Sequence, residues 1–340
     1  MHLFRVAVGP KDGLGHITRV NSLAKILKLK NYKIVIEKNY SNFFKTTETN
    51  KPINLYPYKK NYTSELDDAK LFIKLIKDKK NTVVIIDNYK LGYVWEKYVS
   101  KFCKKIICID DFINKKHYAD IYINYSPLYI GEKKNIIKKL KKYNKKSCSF
   151  LLGPQYALFD RSFKKMNFFK KSKIKNITFY NGGSGNVLIY KKIIKNLIKL
   201  NKEYNINIIV GPYAPNYKNV LKQFGKHKNI SIIYKKNNIL DVVNNSRILV
   251  CSAGIITYES AFLKIPTLLI RMNENQNLNT DSFEKLGHYF HLNKTDLQNT
   301  NKVCQLILLI IKNNKMITDL MSKSEINLKK INTSYFASLN

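Results

Sequence analysis

The stretch LFRVAVGPKDGLGHITR, residues 3–19, has the order of a buried strand, a glycine-bearing turn and a helix. A second stretch, ITFYNGGSGN at residues 177–186, repeats this order in the other half of the chain. A strand, a glycine-rich turn and a helix open the βα units of doubly wound nucleotide-binding sheets. The two openings therefore predict two α/β domains rather than one barrel.

Short apolar runs alternate with longer amphipathic stretches along the chain, which is typical of βα repetition and parallel sheets. We predict a Rossmann-like domain at residues 1–150, a linker at 151–174, and a second Rossmann-like domain with C-terminal helices at 175–340. Ligands bind beyond the carboxyl ends of such strands, so we expect the site in a cleft between the domains. The expected strands lie near residues 3–8, 33–37, 82–87, 105–110, 121–124, 177–180, 207–210, 231–234, 248–251 and 267–270.

The charge of the chain is strongly positive, since 61 Lys and Arg face 23 Asp and Glu among 340 residues, for a net charge of +38. The apolar content of 44% is a globular value and excludes intrinsic disorder. Only five of the basic residues are Arg, the residue that readers of nucleic acid favour, and the Lys are scattered. We predict no specific nucleic-acid partner, while the charge favours a weak attraction to acidic membranes.

Apolar runs are far shorter than the roughly 18 residues that cross a bilayer, and the start of the chain lacks a signal-peptide core. We expect no transmembrane segment and a cytoplasmic location. The cysteines form no CxxC pair and no zinc-spaced cluster with histidine, so we interpret them as core thiols and predict no metal site and no cofactor. They are Cys103, Cys108, Cys148, Cys251 and Cys304.

Candidate catalytic residues follow the strands of the first half. Gly13 and Gly15 permit close backbone approach, and the amides of the helix after them favour an anion. His16 stands at the start of that helix, where catalytic and structural roles are both open. Tyr89 follows another strand and is able to point into the cleft. Asp110 and Asp111, after the next strand, are interpreted as structural groups that hold the loop with His117.

Candidate nucleotide-binding residues follow the strands of the second half. The turn at residues 182–185 has the arrangement that cradles a phosphate, although a flexible turn explains it equally well. At residues 252–259 a strand leads through small residues to a helix start, and Glu259 is placed to accept hydrogen bonds from ribose hydroxyls. Asn275 and Gln276, after the next strand, offer side-chain amides that orient a sugar.

Taken in this order, the motifs resemble the UDP-sugar hydrolase family of pseudaminic acid biosynthesis, which has a GT-B fold and is similar to the N-acetylglucosaminyltransferase of peptidoglycan synthesis. The resemblance spans roughly residues 3 to 291. The stretches that carry it are residues 15–19, 87–89, 110–111 with His117 and Asp120, 153–158, 182–183, 252–259 and 275–276.

The resemblance implies that water displaces UDP from a UDP-linked diacetamido-trideoxy sugar, with inversion at the anomeric carbon and without a metal. His16 would position or deprotonate the water, while Tyr89 and Asn275 would contact the sugar. The residues that it implies for substrate binding are Gly13, Gly15, Arg19, Gly183, Ser184, Ser252, Gly254, Thr257, Glu259 and Gln276.

Two departures from the family pattern keep other functions open. Gly185 stands where the family usually has Asp, and Asn88 stands where it usually has His. One alternative is a GT-B glycosyltransferase that replaces water with an acceptor hydroxyl. A second alternative is a nucleotide-sugar binding protein without catalytic activity, which the two departures favour.

Overall fold

The computed structural model describes residues 1–9, 12–37, 55–58, 64–127, 133–159, 175–200, 203–234, 239–272 and 282–326, with the single residues 328, 336 and 339. The chain forms two compact units. The first takes in the described residues of Met1–Asp12, His16–Phe159 and Ile331–Asn340. The second takes in those of Gly13–Gly15 and Asp160–Lys330.

The first unit is built on a parallel sheet of seven strands in the order β3-β2-β1-β4-β5-β6-β7. All five residues of its central strand β4 are buried, as expected for a parallel sheet covered on both faces. The strands are β1 (His2–Val6), β2 (Tyr32–Glu37), β3 (Leu55–Tyr58), β4 (Val83–Asp87), β5 (Lys105–Ile109), β6 (Ile121–Asn124) and β7 (Ser149–Leu152).

Helices connect the strands of the first unit. Ser64 caps the second of them, because its hydroxyl accepts a hydrogen bond from the Asp67 backbone N–H at 3.2 Å. Phe72 of that helix packs on Trp95 with ring centroids 5.0 Å apart. The helices are α1 (Gly15–Ile26), α2 (Glu65–Phe72), α3 (Tyr93–Val99) and α4 (Lys133–Tyr143), with short 3-10 turns at Ile73–Leu75 and Pro154–Tyr156.

The second unit holds a parallel sheet of six strands in the order β10-β9-β8-β11-β12-β13. Its strands are β8 (Asn176–Tyr180), β9 (Asn205–Val210), β10 (Ile230–Tyr234), β11 (Ile248–Ser252), β12 (Thr267–Arg271) and β13 (Phe290–Asn293). Its helices are α5 (Lys191–Leu200), α6 (Tyr217–Phe224), α7 (Leu240–Asn244), α8 (Ile255–Leu263), α9 (Thr300–Lys312) and α10 (Asn314–Ser322), with 3-10 turns at Val187–Tyr190, Phe283–Leu286 and Lys294–Gln298.

Each sheet has one point at which the chain reverses its direction of winding. In the first sheet the neighbours at this point are β1 and β4, and in the second they are β8 and β11. The loops after such neighbours diverge and leave a crevice, which is where open α/β sheets bind their ligands. The loops that follow β1, β4, β8 and β11 are therefore the candidate ligand-binding loops.

The predicted α/β class with two parallel sheets is confirmed. The predicted domain bounds stay a prediction, and residue 150 falls within β7. Residues 160–174 of the predicted linker lie outside the described residues. All five cysteines are free thiols, and Cys148 is only partly buried while the other four are core residues.

Candidate functional site

The crevice of the first sheet is formed where β1 and β4 end side by side. Val6 is paired with Asp87 in register, and the Ala7 backbone N–H donates to the Asp87 carbonyl at 3.0 Å. The chain leaves β1 through the glycine-bearing turn and enters α1 at Gly15, so His16 lies in the first turn of that helix. This geometry places the His16 imidazole beside the carboxyl group at the end of β4.

His16 and Asp87 form a buried dyad. The His16 Nδ1 lies 2.7 Å from the Asp87 Oδ1, and the two residues are 4% and 0% exposed. An ionised carboxylate only accepts, so Nδ1 carries the proton of this bond and Nε2 is the ring nitrogen left with a lone pair. A carboxylate that fixes the tautomer and the orientation of an imidazole is the arrangement of a general base.

Arg19 links this dyad to a second carboxylate. Its Nε donates to the Asp87 Oδ2 at 2.5 Å, and its Nη1 donates to both Asp111 oxygens at 2.8 Å and to the Tyr125 hydroxyl at 2.8 Å. Burial opposes ionisation of Asp87, but the charge of Arg19 and the hydrogen bonds from Arg19 and His16 outweigh it and lower the pKa of the carboxyl to about 2. Asp87 is therefore ionised at neutral pH.

Tyr89 completes the cluster and is its most exposed member, at 36%. Its ring meets the His16 imidazole edge-on with centroids 4.6 Å apart, and its hydroxyl donates to the Asp111 Oδ2. Burial and the charge of Asp111 raise the pKa of the Tyr89 phenol, so the hydroxyl remains a donor at neutral pH. The structure thus brings together His16, Arg19 and Tyr89, three residues that the sequence selects.

The consecutive residues Asp110 and Asp111 face different partners. The Asp110 Oδ2 lies 3.5 Å from the His117 Nε2, which agrees with the expected contact to the His117 loop. Asp111 instead contacts Arg19 and Tyr89, so its interpretation as a support for that loop is wrong. Adjacent residues at a strand end point to opposite sides, which a reading of the pair as one motif overlooks.

The glycine turn, residues 181–186, follows β8 at the crevice of the second sheet. Gly182 has a φ of 75°, and a Cβ at Gly211 would lie 2.3 Å from the Gly183 carbonyl oxygen, so the turn packs directly on the end of β9. The Tyr213 N–H donates to that carbonyl at 2.9 Å. A Cβ at Gly185 would lie only 1.8 Å from the Asn181 carbonyl oxygen, so this turn has no room for a side chain at residue 185 unless the backbone moves.

The N-terminus of α8 lies beside the glycine turn. A Cβ built at Gly182 would be 3.7 Å from the Ser252 Oγ at the end of β11, which shows that the two loops are neighbours. Gly254 precedes the helix, and a Cβ there would meet no heavy atom within 4 Å. The Gly254 N–H donates to the Thr257 Oγ1 at 3.2 Å. The first amides of α8 and the turn together provide a set of backbone donors suited to an anion.

Glu259 lies on α8, and His288, after the 3-10 turn at Phe283–Leu286, contacts the first turn of that helix. Glu259 is 6% exposed. Burial raises the pKa of the Tyr180 phenol and the charge of Glu259 raises it further, so the Glu259 carboxylate lies close to the end of β8. Burial lowers the pKa of His288 to about 4, and the neutral ring donates from Nε2 to the Thr257 carbonyl at 2.7 Å. His288 fixes the first turn of α8, a support that the sequence analysis missed.

The remaining predicted site residues have differing outcomes. Asn275 and Gln276 lie outside the described residues. Ser252, Gly254 and Thr257 share the α8 end of the second unit with Glu259, and Gly183 and Ser184 lie in the adjacent glycine turn. The roles of all these residues toward a substrate stay predictions, as do those of Gly13 and Gly15.

Comparison with known proteins gives the fold a name. Acinetobacter baumannii MurG has a TM-score of 0.60 at 11% identity, with 99% of this chain and 98% of that chain covered. The chain has the GT-B fold. Residues 177–334, which include most of the second unit, match the glycosyltransferase family 28 C-terminal domain.

Two curated relatives cover most of the chain. The uncharacterised protein MJ1062 of Methanocaldococcus jannaschii is 28% identical over 292 residues, which make up 83% of this chain and 57% of that protein. The UDP-2,4-diacetamido-2,4,6-trideoxy-beta-L-altropyranose hydrolase of Campylobacter jejuni is 27% identical over 298 residues, which make up 84% of this chain and 97% of that protein. This chain thus spans little more than half of the archaeal relative.

No helix within the described residues has the length and apolar character required to cross a membrane. The cytoplasmic location, the absence of a specific nucleic-acid partner and the attraction to acidic membranes stay predictions.

Proposed function

We propose that this GT-B chain hydrolyses a UDP-linked diacetamido-trideoxy sugar to the free sugar and UDP. The His16–Asp87 dyad at the crevice of the first sheet is the observation that carries the proposal, because it supplies a general base on a nucleotide-sugar fold. The Campylobacter jejuni relative, matched over 97% of its length, supports the choice of substrate. The match of residues 177–334 to family 28 supports the use of a sugar nucleotide.

In the proposed reaction, the His16 Nε2 accepts a proton from water while the water oxygen bonds to the anomeric carbon. The bond from that carbon to the diphosphate oxygen breaks on the opposite face, so the configuration inverts. UDP leaves with the bonding electron pair, and the proton on His16 is then released. Asp87 stabilises the imidazolium that forms, as the carboxylate of a catalytic triad does.

Tyr89 and Asn275 would contact the sugar beside this base. The Tyr89 hydroxyl already donates to Asp111, so the phenol oxygen is held in place and its lone pairs face outward as acceptors for the acetamido N–H or hydroxyl groups of a sugar. Arg19 is occupied by Asp87, Asp111 and Tyr125, which makes it an organiser of the base more than a direct contact for substrate.

The second unit would bind UDP. Backbone amides of Gly183 and Ser184, and those of the first turn of α8 after Gly254, would meet the diphosphate, whose growing charge they would stabilise without a metal. Glu259 would accept hydrogen bonds from the ribose hydroxyls. Ser252, Thr257 and Gln276 would complete the contacts to the nucleotide.

The proposal is tested with a panel of UDP-diacetamido sugars in water enriched in ¹⁸O. Hydrolysis by the proposed route releases UDP without label and a sugar with one ¹⁸O at the anomeric position, of inverted configuration by NMR. Label in the UDP would mean attack at phosphorus and would refute the mechanism. UDP that binds in calorimetry while no sugar nucleotide in the panel is cleaved would favour a binding protein.

A glycosyltransferase is the second candidate, since the family 28 domain that matches residues 177–334 belongs to that class by name. Transfer would make UDP release depend on an added acceptor, and the product would carry no ¹⁸O. Release that proceeds at the same rate with and without sugar or lipid acceptors rules this candidate out for the panel tested.

A further inference from the structure

A second buried polar cluster lies in the first unit, where α3, β5 and the loop after β5 meet. The Glu96 Oε1 is 2.8 Å from the His117 Nδ1, and the Cys108 Sγ is 3.3 Å from the same nitrogen. Ligand atoms of the three residues all lie within 4.8 Å of one another, and none of the residues is more than 3% exposed. Successive residues are 12 and 9 positions apart, which is not the spacing of a zinc-binding motif, so spacing rules gave no sign of this group.

The hydrogen bonds of this cluster do not satisfy all of its atoms. Nδ1 carries at most one proton, yet a carboxylate oxygen and a sulfur both face it, so that proton serves only one of them. On the other side of the ring, Nε2 is 3.5 Å from the Asp110 Oδ2, beyond a normal hydrogen bond. Among the described residues, the buried Asp110 Oδ1 has no hydrogen-bond partner. An ion at Nδ1 would bind both the carboxylate oxygen and the sulfur that now face a single proton.

We propose that Glu96, Cys108 and His117 bind one divalent ion of the zinc type through Oε1, Sγ and Nδ1. Thiolate, imidazole and carboxylate are the three side-chain donors that zinc takes in proteins. Asp110 would accept the Nε2–H of His117, as carboxylates behind zinc-bound histidines do, and the Tyr122 hydroxyl holds Asp110 with a donation at 3.0 Å. A water molecule would complete four-coordination, because the second Glu96 oxygen already accepts a hydrogen bond from the Tyr118 backbone N–H.

Metal content and cobalt absorption test the proposal independently of any activity on sugar nucleotides. The wild-type chain is incubated with Zn²⁺ or Co²⁺, passed through a desalting column and analysed by mass spectrometry for metal. We expect about one ion per chain, and for Co²⁺ a thiolate charge-transfer band in the near ultraviolet. Cys108→Ser should lose the band and most of the metal.

Cys103→Ser is the matched control, because Cys103 is a second buried thiol of the same unit outside the cluster. It should bind metal as the wild type does. His117→Gln should lose metal as well, which guards against a Cys108 variant that fails to fold. Zn²⁺ should raise the melting temperature of the wild type and of Cys103→Ser only. Less than about 0.1 ion in the folded wild type, or equal metal in wild type and folded Cys108→Ser, would overturn the proposal.

Discussion

The two crevices share one topology but are built from different chemistry. The crevice of the first sheet is filled with charged side chains that bind one another, with Arg19 between Asp87 and Asp111. The crevice of the second sheet is lined by backbone, in the glycine turn and at the N-terminus of α8. A fixed network of titratable groups suits proton transfer, whereas fixed amides suit an anion. The two units thus differ in the loops that follow their strands and not in the topology of their sheets.

The largest effect is expected from the first crevice. His16→Ala removes the base and should lower turnover of the cleaved UDP-sugar about a hundredfold or more, while UDP affinity stays within about twofold. Steady-state UDP release and calorimetry of UDP measure the two. His227→Ala, at an exposed histidine of the second unit, is the control and should have normal turnover. Near-normal turnover of folded His16→Ala would remove the proton-transfer role from this crevice.

Gly185→Ala tests how closely the glycine turn of the second crevice is packed. In Gly185→Ala the new Cβ would lie 1.8 Å from the Asn181 carbonyl oxygen, so the glycine turn must move. We expect a loss of about 1–3 kcal/mol in the free energy of unfolding, the usual cost of overpacking. Thermal and urea unfolding measure it. A variant as stable as the wild type would show that the turn has room to shift, and the steric account of Gly185 would fall.

Glu259→Gln separates nucleotide binding from chemistry. A carboxylate that accepts from two ribose hydroxyls makes charge-assisted bonds worth roughly 1.5–3 kcal/mol, so UDP and UDP-sugar should each bind about tenfold or more weakly. Turnover at saturation should fall less, as loss of uniform binding requires. Glu284→Gln, at an exposed glutamate of the same unit, serves as the control. Equal UDP dissociation constants in wild type and Glu259→Gln would leave Glu259 a purely structural residue.

The smallest effect on the free protein is expected at Gly254. Its φ of 175° is extended backbone that any residue adopts, and an added Cβ meets no heavy atom within 4 Å. Gly254→Ala should therefore change the melting temperature by about a degree or two, yet weaken UDP several-fold, because its methyl group would stand where the diphosphate approaches the first turn of α8. Calorimetry with UDP and with uridine shows whether the lost contact is made to the phosphates or to the nucleoside. An equal loss for both ligands would place the contact away from the phosphates.

The fold was largely predictable from the sequence because central parallel strands are continuous apolar runs. All ten expected strands are present, and the three that were missed, β3, β7 and β13, are each at the edge of a sheet. An edge strand is half-covered and has fewer apolar residues, and β3 even contains Pro57, which only an edge tolerates. Edge strands are therefore harder to predict than central strands, because they are less buried and their apolar runs are shorter.

Individual residues of the site could be predicted from the sequence, but the contacts between them could not. His16 and Tyr89 follow strands, and this position alone selects them. Their partners depend on strand order, since Arg19 meets Asp87 across 68 residues and Asp111 across 92. Glu96, Cys108 and His117 converge for the same reason. Residues that act together here are neighbours through the β1–β4 and β4–β5 pairings, which no local pattern encodes.

Arg19 fixes the orientation of the His16 side chain during folding, before any ligand binds. A guanidinium has five N–H donors, and here they join α1 to the ends of β4 and β5 and to Tyr125. The rotamer of His16, three residues earlier on the same helix, is thus set when the sheet assembles rather than when a ligand arrives. The entropy of orienting the imidazole is lost during folding, so the ring needs no further ordering when a ligand binds.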